Sequence, residues 1–166
     1  METKKILIVD DDMDVINVIE TILTKEGFQV FSANDKKEGM KMIRSIKPDL
    51  AILDVMMTTH YEGFELAKEI TENAELRSMP ILMQTSINVL TTTKPEVQMM
   101  AHEFRKNPGF KDLHVILIKD INSGNAGVDY LSEDGKSIWF PVDGFISKPV
   151  NAKKVVPEIK KILHIN

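Results

Sequence analysis

The chain has 166 residues, enough for one domain with a sizeable core and too few for two. Its 21 basic and 25 acidic residues leave a net charge of −4, which argues against a general nucleic-acid-binding surface. No apolar run approaches the ~20 residues of a membrane span, the amino terminus reads as a strand rather than a secretory leader, and without cysteine there is neither disulfide nor thiolate metal site. A cytoplasmic protein is the expectation.

Taken in order, Ile6-Leu7-Ile8-Val9 is an all-apolar run, as in a strand covered on both faces. Asp12 or Met13 opens a helix whose stripe is Val15, Val18, Ile19, Ile22 and Leu23, closed by Gly27. Phe28 to Phe31 is a second strand. Asp35 to Ile46 is a second helix with Met40, Ile43 and Ile46 on one face, stopped by Pro48. Leu50 to Leu53 is a third buried strand ending at Asp54, Phe64 to Asn73 a third helix, and Ile81 to Met83 a fourth strand.

Beyond Ser86 the pattern breaks. "AKEITENAELRSMPILMQTSIN" (Ala67 to Asn88) and "AHEFRKNPGFKDLHVILIKDIN" (Ala101 to Asn122) share five identical and six further apolar positions, which is an internal echo or the common pattern of any two helix–loop–strand units. Either way an extra helix and an extra strand, Val115 to Ile118, are expected. "VDYLSEDGKSIWF" reads as a hairpin turning at Asp134-Gly135. Gly144 to Ile146 is the last strand, and Asn151 to Leu163 a closing helix in which Pro157 predicts an irregular or separate first turn.

Alternating strands and helices imply parallel units with right-handed crossovers. The fold class is therefore α/β, a doubly wound parallel sheet of flavodoxin-like order 2-1-3-4-5. It carries a helix, strand and hairpin inserted at about 87–141, and residues 1–166 are read as a single domain.

In such sheets functional groups gather at the strand carboxyl ends. Asp10 and Asp11 follow the first strand and Asp54 ends the third. Three converging carboxylates are unfavourable unless a hard cation neutralises them, and an oxygen-only set suits Mg²⁺. Capping explains Asp12 and the first helical turn explains Asp14; neither explains Asp10, Asp11 and Asp54 together. The fourth strand ends in "QTS", offering the hydroxyl of Thr85 or Ser86, and the last in "SKPV", offering the ammonium of Lys148. This inventory suits phosphoryl transfer onto a carboxylate.

"KKILIVDDDMDV", "PDLAILDVMM", "PILMQTS" and "DGFISKPV" together resemble the motifs of the response-regulator receiver domain of two-component signalling, over about residues 4 to 90 and 142 to 164. The resemblance implies that Asp54 accepts a phosphoryl group from a histidine kinase or phosphotransfer protein. It implies Mg²⁺ bound by Asp11 directly, by Asp10 through water or hydrogen bonds, by Asp54 and by the Met56 main-chain carbonyl. Thr85 would be the switch hydroxyl, Lys148 the partner of the phosphoryl oxygens, and the Lys148–Pro149 bond cis. Phe145 stands at the family's rotating aromatic, although a buried strand phenylalanine accounts for it equally well.

Two departures from the family stand out. After Asp54 the chain reads "DVMMTTHYEG", with Thr58 replacing the usual proline and Gly63 arriving one residue late; His60 and Tyr61 read as exposed loop residues, with lining of the site as the alternative. The interval from Thr85 to Lys148 is also enlarged. One more strand between the fourth and last would carry Lys148 away from Asp54, since strands lie ~4.8 Å apart. The extra strand is therefore expected beyond the last strand or in a separate flap, with the fourth-strand slot as the disfavoured alternative.

The leading expectation is a stand-alone receiver, since no effector follows Asn166, signalling by protein contact to an unknown downstream protein, with no nucleic-acid or membrane partner. A phosphorylation-independent scaffold is the alternative. A Mg²⁺-dependent phosphohydrolase with an aspartate nucleophile would place a second Asp where Met56 stands, so small-molecule turnover is not expected.

Overall fold

Nine strands and five helices make up the described part of the chain. The computed structural model describes residues 3–55, 62–111, 113–132 and 134–166. Contacts divide it into two compact units, Met1–Ser86 with Ile146–Asn166, and Ile87–Phe145. The sequence reading took 1–166 as one domain with an insert of about 87–141; that interval falls within the second of these units.

The first unit is built on β1 (Lys5–Val9), β2 (Gln29–Ala33), β3 (Leu50–Asp54) and β4 (Ile81–Thr85), joined by β9 (Gly144–Ser147) in the order β2-β1-β3-β4-β9. This is the expected 2-1-3-4-5 order, the last core strand being ninth in the chain. β1 runs parallel to β2 and β3, and β3 parallel to β4. The continuous apolar runs are explained by burial on both faces. Ile6, Ile8, Leu50, Ile52, Leu82 and Ile146 pack with Ile16, Ile19 and Leu23 of α1 (Met13–Lys25) and Val155, Val156 and Ile159 of α5 (Ala152–Ile162). Helices α2 (Lys36–Ile46) and α3 (Glu62–Glu72) pack on one another and on β1 and β3, respectively.

Two sequence expectations need correction here. Val18 is 48% exposed, whereas Ile16, left out of the expected stripe, is buried. The buried face of α1 runs Ile16, Ile19, Leu23, the i, i+3, i+7 spacing that one helical face requires. Helix α5 is continuous through Pro157. The proline forfeits one intrahelical N–H bond, while the Asn151 side chain caps the helix by accepting from the Lys154 N–H at 3.0 Å and the buried Val155, Val156 and Ile159 anchor it on the sheet.

The second unit is a four-stranded sheet of order β5-β6-β7-β8, comprising β5 (Val89–Thr92), β6 (Val115–Asp120), β7 (Ala126–Leu131) and β8 (Ser137–Val142), with α4 (Val97–Arg105) between β5 and β6. β5 and β6 are parallel; β6, β7 and β8 are successively antiparallel. The expected extra helix, extra strand and hairpin are all present. β6 does not enter the first sheet, in which β4 and β9 are neighbours; of the expected placements, the separate flap is the one observed. Val97 and Ala101 of α4 cover Ile116 and Ile118, with Trp139 packed against them. Among the described residues no helix is long and apolar enough to cross a membrane.

Candidate functional site

Register brings the candidate residues together. Val9 pairs with Leu53, and Leu53 and Asp54 pair with Met83 and Gln84. Asp10, the next residue of the first strand, therefore lies level with Asp54 and Gln84, with Thr85 one residue further on. Asp10 is held there by its N–H, which donates to the Ala33 carbonyl at 3.1 Å, and the Val55 N–H fixes the end of β3 on the Gln84 carbonyl at 3.0 Å.

Asp10, Asp54, Gln84 and Thr85 are all buried, and Asp11 is exposed. One carboxylate oxygen from each of Asp10, Asp11 and Asp54 lies within 4.8 Å of the others. The donor set is all oxygen, the chemistry that suits a small hard cation such as Mg²⁺. Asp12 is the N-cap of α1, its Oδ1 accepting from the Asp14 N–H at 2.9 Å. Asp12 thus belongs to the helix rather than to the cluster.

The crowded negative charge is compensated on two sides. Lys148 Nζ stands 2.9 Å from Asp54 Oδ1. The Lys148 N–H donates to the Thr85 carbonyl at 2.8 Å, tying the ammonium to the end of β4, and the Lys148–Pro149 bond is cis. Asp10 Oδ1 accepts from the Asp12 N–H at 2.9 Å and Oδ2 from the Gln84 amide at 2.6 Å. Even so, burial pushes the Asp10 carboxyl up to about 7; the Asp12 N–H opposes the rise, the Asp54 charge adds to it, Lys148 opposes and Asp11 adds.

The structure thus brings together Asp10, Asp11, Asp54, Thr85 and Lys148. Phe145 lies half-buried on β9. The readings made for Met56, Thr58, His60 and Tyr61 fall outside the described residues. Gly63, the second residue of α3, lies against the end of β3: a Cβ there would meet the Asp54 carbonyl oxygen at 1.8 Å. Sequence reasoning missed Gln84. The signal was an amide inside the otherwise apolar strand "ILMQT", where an unpartnered polar group would be costly.

This arrangement can accept an electrophile at Asp54, neutralise its charge with a cation and an ammonium, and offer a hydroxyl one strand away. Among known families the chain matches the response regulator receiver domain over residues 6–117. It is 36% identical over 83 residues to the alkaline phosphatase synthesis transcriptional regulatory protein PhoP of Bacillus subtilis, covering 50% of this chain and 33% of that one. It is 25% identical over 161 residues to the probable transcriptional regulator ycf27 of Cyanophora paradoxa, covering 96% and 64%. The chain therefore spans from a third to just under two-thirds of the length of these relatives. Among solved structures, the chemotaxis response regulator CheY4 of Vibrio cholerae shares the fold, with a TM-score of 0.61 at 20% identity over 97% of this chain and 99% of that one. A CheY-like receiver domain protein of Methanospirillum hungatei gives 0.61 at 26% identity over 98% and 95%.

Proposed function

The chain belongs to the response regulator receiver domain family, and on that premise we propose that it is a phosphorylation-switched signalling module whose acceptor is Asp54. Receiver domains are signalling modules that interact with histidine kinases or phosphotransfer proteins and with downstream proteins, and they generally bind Mg²⁺ at an acidic pocket. The observation that carries the proposal is the Lys148 ammonium 2.9 Å from Asp54 Oδ1, beside the cluster of Asp10, Asp11 and Asp54.

In this reading a carboxylate oxygen of Asp54 attacks phosphorus. The new O–P bond forms as the bond to the donor, a kinase histidine nitrogen or an acyl phosphate oxygen, breaks, and the leaving group departs with the electron pair. Asp10, Asp11 and Asp54 would hold Mg²⁺, which neutralises charge on the phosphoryl oxygens when bound. Lys148 pairs with the same oxygens, and the Thr85 hydroxyl moves toward them as the switch. A cytoplasmic location and an output by protein contact complete the proposal.

The closed second unit, Ile87–Phe145, favours one other reading, a receiver-like scaffold that assembles without phosphorylation. Intact-mass spectrometry after incubation with acetyl phosphate and Mg²⁺ separates the two. One labile phosphate-sized adduct, absent from Asp54→Ala and absent without Mg²⁺, is the expected result. Lack of an adduct together with lack of Mg²⁺ binding would favour the scaffold.

A further inference from the structure

Gln84 lies fully buried on β4 among Ile81, Leu82 and Met83. Its Nε2 donates to Asp10 Oδ2 at 2.6 Å, while its Oε1 has no partner among the described residues. An apolar side chain would avoid both the desolvation of an amide and the orphaned oxygen. The placement makes physical sense only if the carboxylate it serves requires the donor.

Asp10 has that requirement. Its carboxylate is fully buried, within reach of the carboxylates of Asp11 and Asp54. Its other oxygen takes the Asp12 N–H, a bond local to the turn that leads into α1. The amide comes instead from a strand on the far side of β3, since the sheet order is β1-β3-β4. Bonded from both sides, the Asp10 carboxylate is fixed in rotation, and its charged form gains a second donor.

We propose that Gln84 is a positioning residue of the Mg²⁺ site, acting through Asp10 by holding that carboxylate correctly turned toward Asp11 and Asp54. The inference rests on the reading of Asp10, Asp11 and Asp54 as Mg²⁺ ligands. Partners that orient a ligand from behind typically change metal affinity by about 10- to 100-fold when removed. Gln84→Met keeps the length of the side chain and deletes the donor, so it should weaken divalent-cation binding by roughly that factor.

The test is a titration of the whole chain, wild type and Gln84→Met, with Mn²⁺ read by electron paramagnetic resonance and with Mg²⁺ read by calorimetry. In the wild type, the Gln84 side-chain amide pair is also followed by ¹H–¹⁵N NMR during the Mg²⁺ titration. The expected result is a Kd raised about 10- to 100-fold in Gln84→Met, with a wild-type amide pair that shifts on saturation. A purely structural role would lower the melting temperature and leave the Kd of the folded protein unchanged. A Kd within about twofold of wild type, or an amide pair unmoved by Mg²⁺, would overturn the positioning role while leaving the metal site standing. If Gln84→Met fails to fold, the wild-type NMR titration decides. A wild type that binds neither cation would overturn the site itself and this inference with it.

Discussion

The Lys148 ammonium lies 2.9 Å from Asp54 Oδ1, although the two residues are far apart in the sequence. Register sets this distance: β9 is bonded beside β4, and β4 beside β3, so one intervening strand separates them. A further strand would have added ~4.8 Å and broken the contact. The folding of β5 to β8 into their own sheet is therefore what keeps the ammonium at the carboxylate.

Loss of that ammonium should be felt mainly in the transfer step, where negative charge gathers on the phosphoryl oxygens. Removing one preorganised charge partner typically costs about 10²-fold or more in rate. Lys148→Ala is therefore expected to slow acetyl-phosphate labelling of Asp54 by roughly 10²-fold, with Mg²⁺ present at saturation. Initial adduct formation measured by mass spectrometry gives the answer. Labelling at the wild-type rate would remove Lys148 from the chemistry.

Gly63 sets two effects against each other. It sits in the first turn of α3, where alanine would gain about 1 kcal/mol in helix propensity. Against this, a Cβ would stand 1.8 Å from the Asp54 carbonyl oxygen and 3.0 Å from both the Asp54 carbonyl carbon and the Val55 oxygen. These are backbone atoms that cannot rotate away, so the clash prevails. Gly63→Ala is expected to destabilise the protein by about 1–3 kcal/mol and to slow Asp54 labelling, because relief requires moving the acceptor's own backbone. Urea unfolding and adduct formation measure the two effects; an unchanged midpoint would show that the helix start shifts freely.

The first unit was readable because its signals are redundant. β1 and β3 carry continuous apolar runs, β1, β2 and β3 are each followed by a helical period, and the carboxylates stand at strand ends, so Asp10, Asp11 and Asp54 could be placed without coordinates. The second unit was readable only in part. β5 is just "VLTT", too short for an alternating pattern, and it escaped notice. Yet it completes β5-α4-β6, a parallel unit like β3-α3-β4, which gives structural sense to the echo between Ala67–Asn88 and Ala101–Asn122. Val18 was misread because an apolar residue one step off the helix stripe looks like part of it. Gln84 was overlooked because its value depends on Asp10, a partner 74 residues away in sequence.

Asp10 sets a pH dependence whose sign follows from burial. Its carboxyl is pushed from 3.8 to about 7, chiefly by desolvation. Between those values the folded chain carries a proton that the unfolded chain has lost. This group's contribution to stability is therefore full below about 3.8 and is lost as pH rises through about 7. Mg²⁺ competes with the same proton. Its affinity should be constant above pH 7 and fall below it, by up to about tenfold per unit. Calorimetric titrations between pH 5.5 and 8.5, roughly spanning this transition, should show that break in wild type and lose it in Asp10→Asn. Affinity flat across the range would mean that Asp10 stays ionised throughout.

Within the second unit, the Arg105 guanidinium clamps β7. Its Nε lies 2.5 Å from Asp129 Oδ1, one terminal nitrogen donates to the Leu113 carbonyl at 2.6 Å, and the other to the Asp129 carbonyl at 3.1 Å. Ser137 Oγ donates to Asp129 Oδ2 at 2.8 Å, so β8 joins the same network. The two charged side chains are only 10% and 7% exposed, which places the pair in the regime where deleting one partner strands a buried charge. Arg105→Met keeps much of the stem and removes the charge; it should destabilise this unit by about 3–5 kcal/mol. The chain's one tryptophan, Trp139, is a direct reporter: it lies against Gly127, where a Cβ would meet its ring at 2.3 Å, and it packs on the α4 core. Its fluorescence transition should move to markedly lower urea in Arg105→Met. The double variant Arg105→Met with Asp129→Leu removes the stranded charge and should recover much of the loss. A single-variant transition that coincides with wild type would mean that the ion pair contributes nothing to holding α4 on the sheet.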